Sequence, residues 1–417
     1  MFGRHRDQSL KAQKTKPQRE PYPYGGLMKL AIIGVGNAGS KILDRILQFE
    51  AETNRDLCRH ALAINSARTD LAKPDHIPRD RRVLIGDTNQ QAKGHGVGGD
   101  ATVGASVMQE DLDEIRRAFD DVEIHDVDAI LVCAGLGGGT GSGGAPVIIE
   151  ELQQMYDEPI YGLGILPGKF EGGRPALNAA RSLQSFVTRL DNFIAFDNDA
   201  WRAKDQTIQE GYDEMNWELA IRVAILMAAG EHDDTEIAEN VMDSSDIIRT
   251  LDTGGISSIG YAASSIDRQQ DGLLNRFREP DQFDEGATNA AKINGLVRRA
   301  VNSRLTLPCD VASADRVLCV ISGPPEKFSR KGLESSRGWL EDRCETVEVL
   351  AGDDPRPGSS TLSAVVLLSN VTKTPRIDEI QAQAVDAQDD IEAQEAVREA
   401  EIEALITDED GKLDPVI

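Results

Sequence analysis

The chain has 417 residues, with 45 lysines and arginines against 71 aspartates and glutamates, a net charge of −26 at pH 7, and 40% apolar residues. That length suits two domains and that apolar share builds real cores, while the charge argues against nucleic acid or anionic lipid as the main partner, since both are polyanions. No run approaches the ~18 apolar residues of a membrane span, and the N-terminus lacks the apolar segment of a secretory signal, so a soluble cytoplasmic protein is expected.

Residues 1–27 are basic, polar and rich in proline, and read as a disordered leader. Patterned sequence starts at Met28, so either the leader is a genuine basic tail or the true start is Met28. From there short apolar runs alternate with helical patterns. Strands are expected at Leu30–Ile33, Ala61–Ile64, Val83–Ile85, Ala129–Cys133, Ile160–Ile165 and Phe193–Phe196, with helices at Gly39–Phe49, Gln109–Phe119, Val147–Met155 and Ala176–Leu190. This alternation, with both strand faces apolar, predicts an α/β fold with a parallel sheet covered on both sides, spanning residues 28–211. A long apolar helix follows at 212–231. Residues 232–375 form a second, smaller α+β domain, in which Val317–Ile321 and Ala364–Leu368 read as strands.

An acidic tail runs from 376 to 417, with 14 acids from Asp378 onward. It reads as a solvated helix or an extended tail, or as a partner-binding segment displaying Ile391, Val397, Ile402 and Leu405. Arginines number 31 against 14 lysines, and aromatics are 5%. High acidity with scarce lysine fits a protein kept soluble in molar salt, where charges are screened beyond about 3 Å; an acidic mesophilic surface fits as well. The five cysteines share no C-x-x-C spacing, and Cys133 and Cys319 sit inside apolar strand patterns, so neither a disulfide framework nor a protein-held metal is expected.

Open parallel sheets bind ligands beyond the carboxyl ends of their strands, so the loops there carry the argument. "GVGNAGS" (Gly34–Ser40) fits G-x-G-x-x-G between a strand and a helix, which places Gly36, Asn37, Ala38, Gly39, Ser40 and Lys41 at a helix N-terminus suited to a phosphate. A dinucleotide site also calls for an acid ending the second strand, and Asn65 stands there instead, which disfavours an NAD-dependent oxidoreductase. After the fourth strand comes Gly137, Gly138, Gly139, Thr140, Gly141, Ser142 and Gly143. Five glycines in this stretch expose backbone N–H groups, and the Thr140 and Ser142 hydroxyls add donors for phosphate oxygens. A third loop, "GHGVGGDATVG", contains Gly98 and Gly104 and could close over a terminal phosphate. The spacing of Lys41 excludes a P-loop.

The segment "GGGTGSG" resembles the signature of the tubulin/FtsZ superfamily, and its details are similar to the CetZ group of tubulin-like proteins of haloarchaea. The resemblance covers roughly residues 28–375. It implies a GTP/GDP site with Mg²⁺. "AINSARTDL" is similar to the FtsZ loop after its second strand and implies a nucleotide contact at Asn65. "LPGKFEGGR" is similar to the ribose loop and implies Glu171 as the ribose-hydroxyl acceptor, with Arg174 and Asn178 as lesser candidates beside it. "FDNDAW" and "GYDEMN" are similar to guanine-contacting segments and imply Asn198, Tyr212 and Asn216 on the base. An amide offers guanine a donor and an acceptor together, and a phenol ring can stack.

Hydrolysis also needs a positioned water. In "VMDSSDIIRTL", Asp243 and Asp246 lie at i, i+3 on a helix start, where acids commonly serve as caps. By the resemblance they complete the site of the next subunit, giving head-to-tail homopolymers and a cytoskeletal GTPase that controls cell shape; Val241 departs from the FtsZ pattern two positions before Asp243. The competing reading is a tubulin-like module that holds nucleotide without polymerising or hydrolysing it efficiently.

Overall fold

The computed structural model describes residues 28–120, 122–202, 208–229, 242–266 and 282–406. The leader, Val241 and residues 407–417 of the tail lie outside them. Six strands run parallel: β1 (Leu30–Val35), β2 (Cys58–Asn65), β3 (Arg82–Leu84), β4 (Ala129–Gly135), β5 (Ile160–Leu166) and β6 (Asn192–Asp197). The sheet continues through β7 (Ile256–Ser265), β8 (Arg316–Gly323), β9 (Val349–Pro355) and β10 (Thr361–Ser369), in the order 3-2-1-4-5-6-7-10-8-9. β7 joins β6 through two residue pairs, Phe193 with Ile256 and Ile194 with Ser257. It then pairs antiparallel with β10, and β10 with β8.

β1 shows why helices must cover both faces. Leu30 and Ile32 enter one core, while Ala31, Ile33 and Val35 enter another, because successive side chains point to opposite sides. One face is covered by α1 (Gly36–Thr53) and α8 (Ile208–Met227); the other by α3 (Ala101–Glu110), α4 (Leu112–Phe119), α5 (Ala145–Met155) and α6 (Gly173–Arg189). Short helices α2 (Arg68–Leu71) and α7 (Asn198–Trp201) follow β2 and β6. The second half adds α9 (Ser244–Leu251), α10 (Gln282–Asn302) and α11 (Arg330–Cys344), the last two over a third core, and α12 (Pro375–Ile406) closes the chain. α8 shares a core with Ile194 of β6 and with Val320 and Val365 of the second half, so it is buried between both.

Several elements differ from expectation. The single helix at Gln109–Phe119 is two helices meeting at Asp111. α8 ends at Met227, and residues 230–231 of the expected span lie outside the described residues. β7 was not legible because serines interrupt its apolar run. They are buried and paired: Ser257 Oγ donates to Asn192 Oδ1 at 2.6 Å and Ser258 Oγ to the Leu307 carbonyl at 2.8 Å. α12 corrects the boundary drawn at 376. Ile377, Ile380, Ala384 and Ala387 form a stripe of helical period that is buried, and α12 packs on α6. Acids on the other faces hide that stripe in the composition.

Candidate nucleotide site

In a sheet ordered 3-2-1-4-5-6 the winding reverses between β1 and β4, and the crevice beyond their carboxyl ends is the ligand position of such sheets. A cavity of about 380 Å³ opens there. Its walls are Gly36, Asn37 and Ala38 after β1, Asn65 to Ala67 and Asp70 after β2, His95 to Gly99 after β3, and Gly135 with Gly138 to Gly141 after β4. The glycine loops touch. Gly36 has φ +72°, and a Cβ on it would stand 3.1 Å from the Gly141 nitrogen.

The glycine part of the wall suits an anion held by backbone. Among its described residues there is no lysine or arginine. The residue before α1, Val35, supplies no side-chain cap, so first-turn N–H groups stay available. After β4, Thr140–Gly144 makes one wide π-helical turn before α5, a geometry that recurs at functional sites. Asn65 is 2% exposed and its Oδ1 accepts the Ala67 N–H at 3.2 Å, while its Nδ2 has no protein partner among the described residues. A buried donor left unpaired costs about 1–3 kcal/mol, which an acceptor bound in the crevice would remove.

The remaining phosphate-side candidates divide into wall and support. Gly36, Asn37, Ala38, Asn65, Gly98, Gly138, Gly139, Thr140 and Gly141 line the crevice. Thr140 Oγ1 is 2.7 Å from Ser66 Oγ, tying two loops together. Ser142 differs from expectation: its hydroxyl donates to the Gly138 carbonyl, so it shapes the loop instead of offering a free donor. Ser40 likewise donates to the Gly36 carbonyl at 2.8 Å inside α1, and Gly39 and Lys41 stand behind the wall beside it. Gly104, Gly137 and Gly143 also stand behind the wall. A Cβ on Gly104 would collide with the Gly139 carbonyl, so its role is to let α3 approach the loop. Asn178 is a staple: its Nδ2 donates to the Gly99 carbonyl at 2.8 Å and the Gly137 carbonyl at 3.0 Å. Arg174 is exposed.

Of the residues expected on the nucleoside, Glu171 Oε1 accepts the Gly168 N–H at 2.8 Å and the Tyr212 hydroxyl at 3.2 Å. Burial, reinforced by the Glu171 charge, pushes the Tyr212 phenol up to about 12. Tyr212 and Asn216 are four residues apart and share a face of α8. Asn198 is buried at the first position of α7, which Asp197 caps by accepting the Asp199 N–H at 3.1 Å. Asp243 and Asp246 are not part of the crevice wall. They cap α9, which packs on α8 and β8: Asp243 Oδ1 accepts the Ser245 and Asp246 N–H groups at 2.9 and 3.2 Å, and Asp246 Oδ2 accepts the Asp243 N–H at 3.3 Å. Sequence reasoning missed His95 and Asp70 as wall residues, although they lie inside the "GHGVGGDATVG" and "AINSARTDL" segments it singled out.

Residues 29–205 match the family profile described as the GTPase domain of the Tubulin/FtsZ family, and residues 205–386 match the C-terminal domain of tubulin-like CetZ. The chain is 50% identical to the tubulin-like protein CetZ1 of Haloferax volcanii, over 88% of this chain and 94% of that protein. It is 31% identical to a tubulin-like CetZ of Pyrococcus abyssi, over 85% and 88%. Among solved structures, GDP-bound monomeric CetZ1 from Haloferax volcanii superposes with a TM-score of 0.77 at 46% identity, covering 87% of this chain and all of that one. CetZ2 from the same organism, a GTPγS-bound protofilament, gives 0.76 at 38% identity, covering 88% of this chain and all of that one. Sheet order, glycine-walled crevice and both matched domains agree: the chain belongs to the CetZ family of tubulin-like proteins, within the tubulin/FtsZ superfamily.

Proposed function

We propose that this protein binds GTP in the crevice between β1 and β4, hydrolyses it, and assembles head to tail into filaments that control cell shape. The observation that carries the reading is the crevice wall, where glycine backbone and the unpaired Asn65 Nδ2 converge with no cationic side chain among the described lining residues. Such a wall suits a polyphosphate stabilised by N–H groups and helix N-termini. The N–H groups of Gly138, Gly139, Thr140 and Gly141 take the phosphates. Glu171 accepts a ribose hydroxyl, Tyr212 lies against the ring, and the Asn198 and Asn216 amides match the guanine edge. Asp70, a carboxylate on the wall whose Oδ1 also pairs with Lys73 at 2.7 Å, would hold Mg²⁺, which would supply charge neutralisation during hydrolysis.

Asp243 and Asp246 stand away from their own chain's crevice and serve the neighbour's. Burial raises the Asp246 carboxyl above its usual range, which suits a group that takes a proton from water. A head-to-tail contact of this kind does not close on itself and builds filaments, and the CetZ2 relative is a GTPγS-bound protofilament. The test is phosphate release from GTP in about 2–3 M KCl with Mg²⁺, over a range of protein concentrations, with light scattering alongside. Specific activity that rises above a threshold together with scattering supports the reading. Intact bound GTP and flat scattering at every concentration would replace it with the nucleotide-binding module.

A further inference from the structure

Arg376, the second residue of α12, is enclosed at the nucleoside end of the site, its side chain 4% exposed. Its guanidinium reaches three acceptors. Nη2 donates to the Pro167 carbonyl at 2.7 Å, Nε to Asp197 Oδ1 at 3.1 Å, and Nη1 to Glu379 Oε2 at 3.3 Å. Pro167 opens the loop that carries Glu171. Asp197 caps the helix that begins with Asn198. The same two segments meet once more, where Asp199 Oδ1 accepts the Lys169 N–H at 3.1 Å.

The contact is built rather than incidental. α12 is seated so closely on α6 that a Cβ on Gly173, at the end of this loop, would stand 2.7 Å from the Ala387 Cβ. Lys169 Nζ also pairs with Glu379 at 2.8 Å, although this pair is half exposed and screened by salt. Burial raises the Asp197 carboxyl above its usual range, and the Arg376 charge and the Asp199 N–H it caps offset part of that rise. A lysine could satisfy one of these acceptors at a time; a planar fork satisfies them together.

We propose that Arg376 is a positioning residue for the nucleoside: it locks the Glu171 loop and the Asn198 helix at one spacing, so the C-terminal helix sets guanosine affinity without touching the ligand. This rests on the reading that Glu171 holds the ribose and Asn198 the base. Among the described residues Arg376 hydrogen-bonds Pro167, Asp197 and Glu379 and none of the triphosphate loops, so their affinity depends on it far less than that of the nucleoside.

The test uses the full chain in about 3 M KCl with Mg²⁺, titrating GTP, ATP and inorganic tripolyphosphate calorimetrically into wild type, Arg376→Met and Arg376→Lys. In Arg376→Met, GTP binding is expected to weaken about tenfold or more and the preference for GTP over ATP to shrink, with tripolyphosphate binding changed less than about twofold. Arg376→Lys, which keeps the charge and the fold, falls between. Wild-type GTP affinity in both variants, or equal losses for GTP and tripolyphosphate, would overturn the proposal. A wild type that binds tripolyphosphate but shows no preference for GTP over ATP would instead overturn the nucleoside reading on which it rests.

Discussion

Arg55, in the turn between α1 and β2, donates from Nη2 to Asp354 Oδ2 at 2.9 Å across 299 residues of sequence, and their side chains are 4% and 0% exposed. Ser322 Oγ donates to the same carboxylate oxygen at 2.6 Å and Arg356 Nη2 reaches the other at 2.9 Å. The first half of the sheet is thereby pinned to the second from the side opposite α12.

Asp354→Ala removes the buried carboxylate that Arg55, Ser322 and Arg356 share, a change that costs about 3–5 kcal/mol. The drop in unfolding temperature should persist in about 3 M KCl, because buried pairs are screened little. Glu334→Ala, which breaks an i, i+4 pair with Arg330 whose side chains are 66% and 80% exposed, should leave the melting temperature unchanged. Equal effects of the two substitutions in high salt would contradict the assignment.

Asn65→Asp keeps the oxygen that accepts the Ala67 N–H but replaces the unpaired donor with negative charge. The fold should survive, and GTP affinity should fall about 10- to 100-fold, the worth of a hydrogen bond to a charged group plus the added repulsion. Calorimetric titration beside a melting curve checks both halves; unchanged affinity would place the phosphates elsewhere.

Asp243 caps α9, and substitutions can separate that role from the catalytic one proposed for it. Asn caps a helix about as well as Asp, so Asp243→Asn should keep stability and GTP binding but slow phosphate release and leave filaments that persist. Asp243→Ala should lose about 1 kcal/mol of stability in addition. If Asp243→Asn hydrolyses GTP at the wild-type rate, the residue is a cap and nothing more.

The Tyr212 phenol ionises at about 12, because burial and the neighbouring Glu171 favour the neutral form. Its contribution to stability is complete below the unfolded value of about 10 and is lost as pH rises through the folded value. In an absorbance titration of the phenols, Tyr212→Phe should remove one late transition. Loss of a transition near pH 10 instead would show that the contact with Glu171 does not form.

The first half of the fold was legible because strands buried on both faces are continuous apolar runs, as in Ala129–Cys133. β7 was not, since Ser257 and Ser258 are buried against partners such as Asn192 and Leu307, which lie far away in sequence. The acids of β9 hid it for the same reason, Asp354 having its partner at Arg55. At the site, the glycine loops announced themselves because close backbone approach leaves no alternative residue. The direction of a hydroxyl has no such signature, so Ser142 could be named but not aimed. Arg376 sat within a stretch that composition marked as tail, and only the packing of α12 on α6 brings it to Pro167 and Asp197.

A wall without cationic side chains among its described residues carries a thermodynamic consequence. Where lysines grip a phosphate, binding expels counterions and weakens as salt rises. Here a triphosphate would enter a protein of net charge −26 and meet mainly backbone N–H groups and neutral side-chain donors such as the Asn65 amide, with the Asp70 carboxylate on the same wall, so its arrival would draw dissolved cations in. Concentrated KCl would then favour the loaded state by mass action, which makes dissolved cation a component of the proposed nucleotide site rather than its competitor.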